Sequence, residues 1–228
     1  MKDKKNDFFW PSYTDLMTSM FFIMLVLYIL SYSRLKIKVD DLDRKLKVFT
    51  MVEENLKPLK RDTTLFRYES KFKRYILAFD VEFGIGKHRF IPNELINYNI
   101  SITKIDDVGF KLKSVIDSLN YKRKANPELK DVSYLLVISG YSSHLPLGGM
   151  VNDYVLSYMR ALTLWDRWRF KGIDFEAKEY EGLIDLQIAG NGWGGVGRFK
   201  MDPHNFYNNE VKNQRFIIQV IPKINATL

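Results

Sequence analysis

Cysteine is absent from the 228 residues, and histidine occurs only three times. The lack of cysteine excludes disulfide bonds, thiolate metal ligands and cysteine nucleophiles. His88, His144 and His204 do not have the spacing of metal ligands, and no nucleophile is accompanied by a base and an acid. We therefore expect no metal, no cofactor and no enzymatic activity. Internal repeats and low-complexity segments are also missing.

Acidic residues are fewer than basic ones, and the net charge is +8. Most of this excess lies between residues 34 and 74, where 13 basic residues face 7 acidic ones. A solvated, charged helix is the simplest interpretation of this segment. Contact with anionic lipid headgroups and binding to nucleic acid are the alternatives, and we expect no nucleic-acid partner.

Charge is missing from one long apolar run near the N-terminus. Between Leu16 and Leu30 the only polar groups are Thr18, Ser19 and the hydroxyl of Tyr28. Extended to residues 11–32, the run reaches the roughly 20 residues that a bilayer-spanning helix needs. Aromatic residues at both ends suit the two water interfaces. We predict a transmembrane helix over 11–32 after a tail of residues 1–10, with a cleaved signal peptide as the alternative.

A carboxylate at the start of this run requires an explanation, because burial in hydrocarbon is costly. Thr18 and Ser19 share the helical face of Asp15 at i+3 and i+4. This polar stripe is expected to face protein or water rather than lipid. Alternatively, Ser12 and Asp15 form a capping box, in which the helix dipole favours the carboxylate. These residues alone leave both interpretations open.

Apolar residues then recur at steps of three and four along a charged segment: Leu35, Val39, Leu42, Leu46, Phe49, Val52 and Leu56. The pattern predicts either a parallel two-stranded coiled coil or an amphipathic helix lying on its own domain. Residues 33–70 would form this stalk and linker, and Pro58 would end the helix.

Strand and helix patterns alternate over residues 71–228. We expect strands at 75–83, 133–139, 183–189 and 216–221, and helices at 102–119 and 152–170, the second closed by Gly172. This order predicts an α+β fold, an α/β sandwich with helices on one face of a mixed sheet. Residues 192–197 match G-x-G-x-x-G, but no helix pattern follows, so we interpret them as a glycine-rich loop.

Four segments carry a resemblance to known proteins. Residues 9–18, FWPSYTDLMT, resemble the W-x-x-S-Y-x-D-L-M-T entry of the membrane helix in MotB-type stator subunits, with Trp10, Ser12 and Tyr13 as its motif residues. The match places Asp15 on the family's ion-carrying aspartate, beside Thr18 and Ser19. The C-terminal half is similar to the OmpA/MotB peptidoglycan-binding domain in VISGY, LSYMRA and NQRFIIQV, at residues 137–141, 156–161 and 213–220.

The resemblance implies a single-pass inner-membrane protein with a cytoplasmic N-terminus and a periplasmic domain. Two copies would sit in a pentameric ring of a multi-span MotA- or ZorA-like partner, and proton flow past the aspartate would drive rotation. The domain would anchor the assembly to peptidoglycan. The charge pattern favours the reverse orientation, because more basic residues follow the apolar run than precede it.

The chain departs from the family at one important place. The family has Gly-x-Thr-Asp after its central strand, and this aspartate, with the arginine of Leu-Ser-x-x-Arg-Ala, holds the diaminopimelate of peptidoglycan. Here Arg160 is retained, but Ser142 and Ser143 replace the Thr-Asp pair. Asp153 is the candidate substitute for the acid. The resemblance thus implies a wall-binding site of Arg160, Asp153, Ser143 and Arg215.

The length of the chain distinguishes between related motors. Flagellar stator subunits carry a longer linker, and this compact chain is more similar to the ZorB subunits of Zorya anti-phage defence. An alternative of a different class is a static membrane tether, in which the domain docks to wall or protein and no ions flow.

Overall fold

A computed structural model describes residues 9–72, 74–143, 150–194, 197–200 and 210–224. The side chains of residues 1–12 lie outside the described part, and so do His144 and His204. The chain divides into two compact units, with the boundary after Phe49. Each unit is described by itself below.

Helix α1 spans Phe9–Arg61 and contains the apolar run. Its most apolar window has a mean hydropathy of 1.9, and all side chains from residue 13 to residue 32 are exposed. The predicted apolar segment is therefore one helix, long and apolar enough to cross a membrane. It contains no glycine and only Pro11 near its start, so no residue of the run interrupts the backbone hydrogen bonds.

The apolar seam that follows differs between its two halves. From Leu35 to Leu46 its members are exposed, by 61% and 66% at the two ends. Val52 and Leu56 are buried, and so is Leu59, within the unit that begins at Thr50. The C-terminal half of the seam thus packs on its own domain, which was one of the two predicted alternatives.

Pro58 does not end the helix, contrary to the prediction, because α1 continues to Arg61. Proline removes one helical hydrogen bond and disfavours the helical conformation of the residue before it. Burial of Leu56 and Leu59 on either side of the proline offsets this cost. Lys60 also lies over the ring of Tyr68, at 4.9 Å from its centroid.

Five strands form one mixed sheet in the order β1-β2-β5-β3-β4. They span Phe66–Glu69, Arg74–Leu77, Val132–Gly140, Ile184–Gly190 and Phe216–Ile224 for β1 to β5. The pair β3–β4 is parallel, and the other pairs are antiparallel. Helix α2 spans Tyr98–Ala125 and α3 spans Met150–Phe170. The predicted α+β fold with a mixed sheet is confirmed.

The segment predicted as a strand over 75–83 is mostly irregular. Only its first residues belong to β2, and Phe83 forms an isolated bridge with Leu95. Val81 and Phe83 are buried, which produced the alternating pattern. The N–H of Phe83 bonds to the side chain of Gln214 instead of a neighbouring strand. The alternation of buried side chains therefore resembles a strand pattern, although this segment forms no ladder with a neighbouring strand. Strand β1 was missed, because it has four residues and one buried side chain.

Helix α3 lies unusually close to β3 and β4. A Cβ atom added at Gly140 would be 2.1 Å from the carbonyl oxygen of Ser157, and one at Gly190 would be 2.5 Å from the nitrogen of Tyr158. Both contacts are to backbone, which cannot move aside as a side chain can. Only glycine at these two positions permits this approach.

The same helix packs on α2 through Trp168. This side chain is fully buried, its indole N–H donates to the carbonyl of Ile105 at 2.9 Å, and Gly109 leaves room for the ring. The preceding residue, Arg167, forms two hydrogen bonds with Asp106, at 2.6 and 2.7 Å. Helix α3 is thus fixed on two sides, by the sheet and by α2.

We expect Gly140→Ala to destabilise the domain by about 3 kcal/mol, because overpacking against a fixed backbone strains the core. Gly84→Ala is the matched control, since its added methyl comes closest to the flexible side chain of Lys87, at 3.3 Å, and lies at an ordinary contact distance of 3.7 Å from the carbonyl oxygen of Glu94. Urea unfolding of the detergent-solubilised chain, followed by tryptophan fluorescence, measures both. Equal midpoints for the two variants would contradict the close approach.

Candidate functional site

The first candidate site is a polar stripe on the apolar part of α1. Asp15 is exposed, and within the described part of the chain no ion pair involves it. The hydroxyl of Thr18 donates to the carbonyl of Thr14 at 2.7 Å, and that of Ser19 to the carbonyl of Leu16 at 2.9 Å. Both hydroxyl protons are thus used inside the helix, and their lone pairs remain. The stripe offers acceptors, which suits a proton or a cation.

The capping-box interpretation of this stripe is wrong. Helix α1 begins at Phe9, three residues before Ser12, and its first turn contains no acidic residue. Ser12 is therefore the fourth helical residue rather than the N-cap, and the N–H of Asp15, which a capping box would bind, already has the carbonyl of Pro11 as its i−4 partner position within the helix. Among the other motif residues, Tyr13 is 45% exposed, and the side chains of Trp10 and Ser12 lie outside the described residues.

The second candidate site surrounds Arg160 on α3. Its guanidinium is 2% exposed and donates to two backbone carbonyls, from Nε to Lys87 at 3.1 Å and from a terminal nitrogen to Tyr141 at 3.2 Å. It also faces the ring of Phe83 at 4.6 Å. Burial lowers the pKa of Arg160 to about 10, and the charge of Asp153 opposes that shift. The group therefore remains charged at neutral pH.

Asp153 lies in the first turn of α3 and is 6% exposed. Its charge acts on Arg160 and also on Arg198, whose pKa is lowered by burial. Arg198 donates to the carbonyl of Ser142 at 2.9 Å and forms an ion pair with Glu210. Sequence reasoning missed Arg198 and Glu210. The only sequence feature that pointed to either residue was the position of Arg198, directly after the glycine-rich loop.

Ser143 follows the end of β3 and is half-buried. Its hydroxyl oxygen lies 3.4 Å from Nε2 of Gln214, whose Oε1 accepts the N–H of Phe83 at 2.9 Å. Gln214 was also missed as a site residue, although it lies inside the NQRFIIQV segment. The segment's asparagine, Asn213, binds both backbone groups of Phe199.

Arg215 lies beside the same strand end. Its backbone carbonyl accepts the N–H of Tyr141, and its guanidinium lies 5.3 Å from the centroid of the Tyr141 ring. A terminal nitrogen donates to the carbonyl of Gly197 at 2.6 Å, and burial lowers the pKa of this arginine. The structure thus brings Arg160, Asp153, Ser143 and Arg215 to the end of β3. Among the described residues no acidic or histidine cluster could hold a metal ion.

No protein-family model matches the chain, and the search of curated proteins finds no match. Solved structures are similar to parts of it. The OmpA-like domain of FopA1 from Francisella tularensis is 17% identical over 66% of this chain and 73% of that chain, with a TM-score of 0.36.

Two further similar structures are MotB-related. A MotB-like protein from Desulfovibrio vulgaris is 12% identical over 78% of this chain and 91% of that chain, with a TM-score of 0.37. The periplasmic domain of Helicobacter pylori MotB is 13% identical over 71% of this chain and 90% of that chain, with a TM-score of 0.33. None of these values is high enough to assign a function to the chain.

Proposed function

We propose that this chain is the B-type subunit of a proton-driven inner-membrane motor. The supporting observation is a carboxylate on the exposed face of a helix that is long and apolar enough to cross a bilayer. A lipid-facing Asp15 would be costly, so it requires a partner or water. The acceptor oxygens of Thr18 and Ser19 line the same face and would stabilise a proton or a hydrated cation passing it.

The assembly we propose has two copies of the chain inside a pentameric ring of a MotA- or ZorA-like partner. The N-terminus would be cytoplasmic, and the domain would be periplasmic and anchored to the wall. The compact form favours a ZorB-type role in anti-phage defence over a flagellar stator. A static tether remains the second candidate, and the polar stripe argues against it because a tether needs no intramembrane acid.

Asp15→Asn is expected to abolish phage protection or motility in cells that carry the chain and its partner. Asparagine has nearly the same shape but cannot exchange a proton. Membrane insertion and assembly should be unchanged, which fractionation and co-purification of the partner would measure. Asp40→Asn, on the same helix beyond the apolar run, is the control and should keep full activity. An active Asp15→Asn protein would contradict ion carriage and favour the tether.

The exposed half of the seam supports pairing of two copies. Leu42 and Leu46 are 63% and 66% exposed in the single chain, and a parallel partner would cover both. Single cysteines at these positions, in a background without cysteine, should crosslink rapidly under mild oxidation. Cysteines at Arg44 and Lys47 are the controls on the outer face. Equal crosslinking at all four positions, or at none, would exclude the parallel dimer.

Wall binding is proposed to reside in Arg160, Asp153, Ser143 and Arg215. A guanidinium binds a carboxylate with two parallel hydrogen bonds, and the charge of Asp153 favours the charged form of Arg160. The protonated arginine and the partly exposed Ser143 would both contact the free end of a peptidoglycan stem peptide.

The full chain in detergent is expected to sediment with purified peptidoglycan. Arg160→Ala should remove most of that binding, by about tenfold, because a charged hydrogen-bond donor is lost. Arg169→Ala, an exposed arginine on the same helix, should bind as the unchanged chain does. Ser143→Asp should bind more tightly. If Arg160→Ala sediments as the unchanged chain does and has the same circular dichroism spectrum, wall binding does not use this site.

A further inference from the structure

The two edges of the sheet differ in how they are protected. Strand β1 has only four residues, among them the charged Arg67 and Glu69, and short charged strands resist pairing with other chains. Strand β4 has seven residues, its register with β3 is continuous, and Asp185 is its only charged side chain. This fully described strand contains no proline, lysine or bulge, which are the features that usually protect an edge.

Hydrogen bonds at the two ends of β4 show which of its backbone groups point outward. The carbonyl of Leu183 accepts a hydrogen bond from β3, and the N–H of Asn191 donates one to it. In a parallel ladder only every second residue bonds to a given neighbour, so the odd-numbered residues of β4 bond to β3. The N–H and C=O groups of Ile184, Leu186 and Ile188 therefore point away from the sheet. Within the described part of the chain no hydrogen bond reaches them.

The side chains of these three residues lie on the face of the sheet that the helices cover. They share this face with Gly190, where an added Cβ would touch the backbone of α3. Each is partly exposed, because no strand lies beyond β4. Asp185 and Gln187 alternate with them and are exposed on the opposite face. A strand added at this edge would thus meet apolar side chains on one face and polar ones on the other.

Helix α3 presents an apolar flank beside the same edge. Tyr154, Tyr158 and Leu162 follow one another at four-residue steps and so share one side of the helix. That side lies over β4, since an added Cβ at Gly190 would be 2.8 Å from the carbonyl oxygen of Tyr154. Tyr158 is 42% exposed and Leu162 is partly exposed. Below, the outward backbone groups of β4 together with Tyr158 and Leu162 are called the β4 edge site.

We propose that the β4 edge site binds an extended peptide of a partner protein as a further strand, with apolar and basic residues in alternation. A residue directly opposite Leu186 or Ile188 points to the same face, so every second position of the peptide must be apolar. Backbone hydrogen bonds would supply affinity, and the apolar contacts beside α3 would supply specificity. This inference goes beyond the proposed motor and does not depend on it.

The basic residues of the peptide follow from the charge on the other face. Asp185 pairs with Lys223 through its Oδ2 atom only, and its side chain is still 61% exposed. Opposite charges on directly facing residues of two strands stabilise their pairing, and like charges destabilise it. A lysine or arginine opposite Asp185 is therefore favoured over an acidic residue.

A flexible peptide suits this edge better than a second folded copy of the chain. Seven residues form a strip about 23 Å long, and with a height of about 10 Å it offers about 200 Å² per side. Stable complexes of two folded proteins bury about 800 Å² per partner. Strand β4 also contains no basic residue that a second copy could place opposite Asp185.

Fluorescence anisotropy with a labelled six-residue peptide of alternating lysine and valine tests the proposal on the full chain in detergent. The chain should bind it about tenfold more tightly than a peptide with three valines followed by three lysines, in which valine also meets the polar face. Leu186→Pro should weaken binding at least about fivefold, because it removes an outward N–H and leaves the ladder with β3 intact. Tyr158→Ala should also weaken binding, and Tyr121→Ala, an exposed tyrosine on α2, should not.

Backbone methylation of the peptide tests the pairing without any change to the chain. In an antiparallel pair the residue opposite Leu186 exchanges both hydrogen bonds with it, so the valine N–H groups would face β4. Methylation of the valine nitrogens should then abolish binding, and methylation of the lysine nitrogens should not. The reverse result would support the same site with a parallel strand. Equal affinities of the two methylated peptides would overturn the proposal, even if Leu186→Pro does not fold.

A charge exchange tests the choice of a basic partner. Asp185→Lys should prefer the peptide in which glutamate replaces lysine, whereas Asp107→Lys, an exposed site on α2, should keep the original preference. An Asp185→Lys protein that still prefers lysine would overturn the proposal, and so would equal binding of the alternating and the block peptide. Peptide binding that falls as the chain concentration rises, with a smaller oligomer for Leu186→Pro in sedimentation velocity, would identify a second copy as the occupant and overturn it too.

Discussion

The close approach of α3 to β3 and β4 is the constraint on which the C-terminal domain depends. Gly140 and Gly190 bring the strand backbones against the helix at Ser157, and the hydroxyl of Ser157 accepts the N–H of Gly192 at 2.8 Å. One turn further along the helix, Arg160 is held level with the end of β3. A larger residue at either glycine would lift the helix and separate the guanidinium from the carbonyl of Tyr141.

A buried arginine requires compensation for the water that it loses. Arg160 obtains it from two carbonyls, one aromatic face and one carboxylate. Arg198 and Arg215 are compensated in the same way, since each donates to a backbone carbonyl of a neighbouring loop. Three guanidinium groups thus tie the irregular segments around β3 together. Because these side chains hold the loops together, a variant that tests the proposed binding requires an independent measurement of folding.

Periodicity and turn residues predicted the parts of the fold that extend over many residues. Strand β3 and helix α3 were found with small errors at their ends, and in the structure Arg160 of the LSYMRA segment donates to the carbonyl of Tyr141 in VISGY. Shorter features carried too little signal, as in the four residues of β1. The link from Gln214 to Phe83 joins residues 131 positions apart, and no local pattern encodes such a contact. The helix beyond Pro58 depends on tertiary burial of Leu59, which propensity does not contain.

The last turns of α1 have a practical meaning for work on the domain. Val52, Leu56 and Leu59 belong to the core of the unit that begins at Thr50, and β1 covers the outer side of β2. A soluble fragment cut at residue 71 would therefore lose a wall of its core and leave β2 as an open sheet edge. Open edges pair with other chains and aggregate. A fragment that starts at or before Thr50 keeps the last turns of α1, which complete the core, and strand β1, which pairs with the edge of β2.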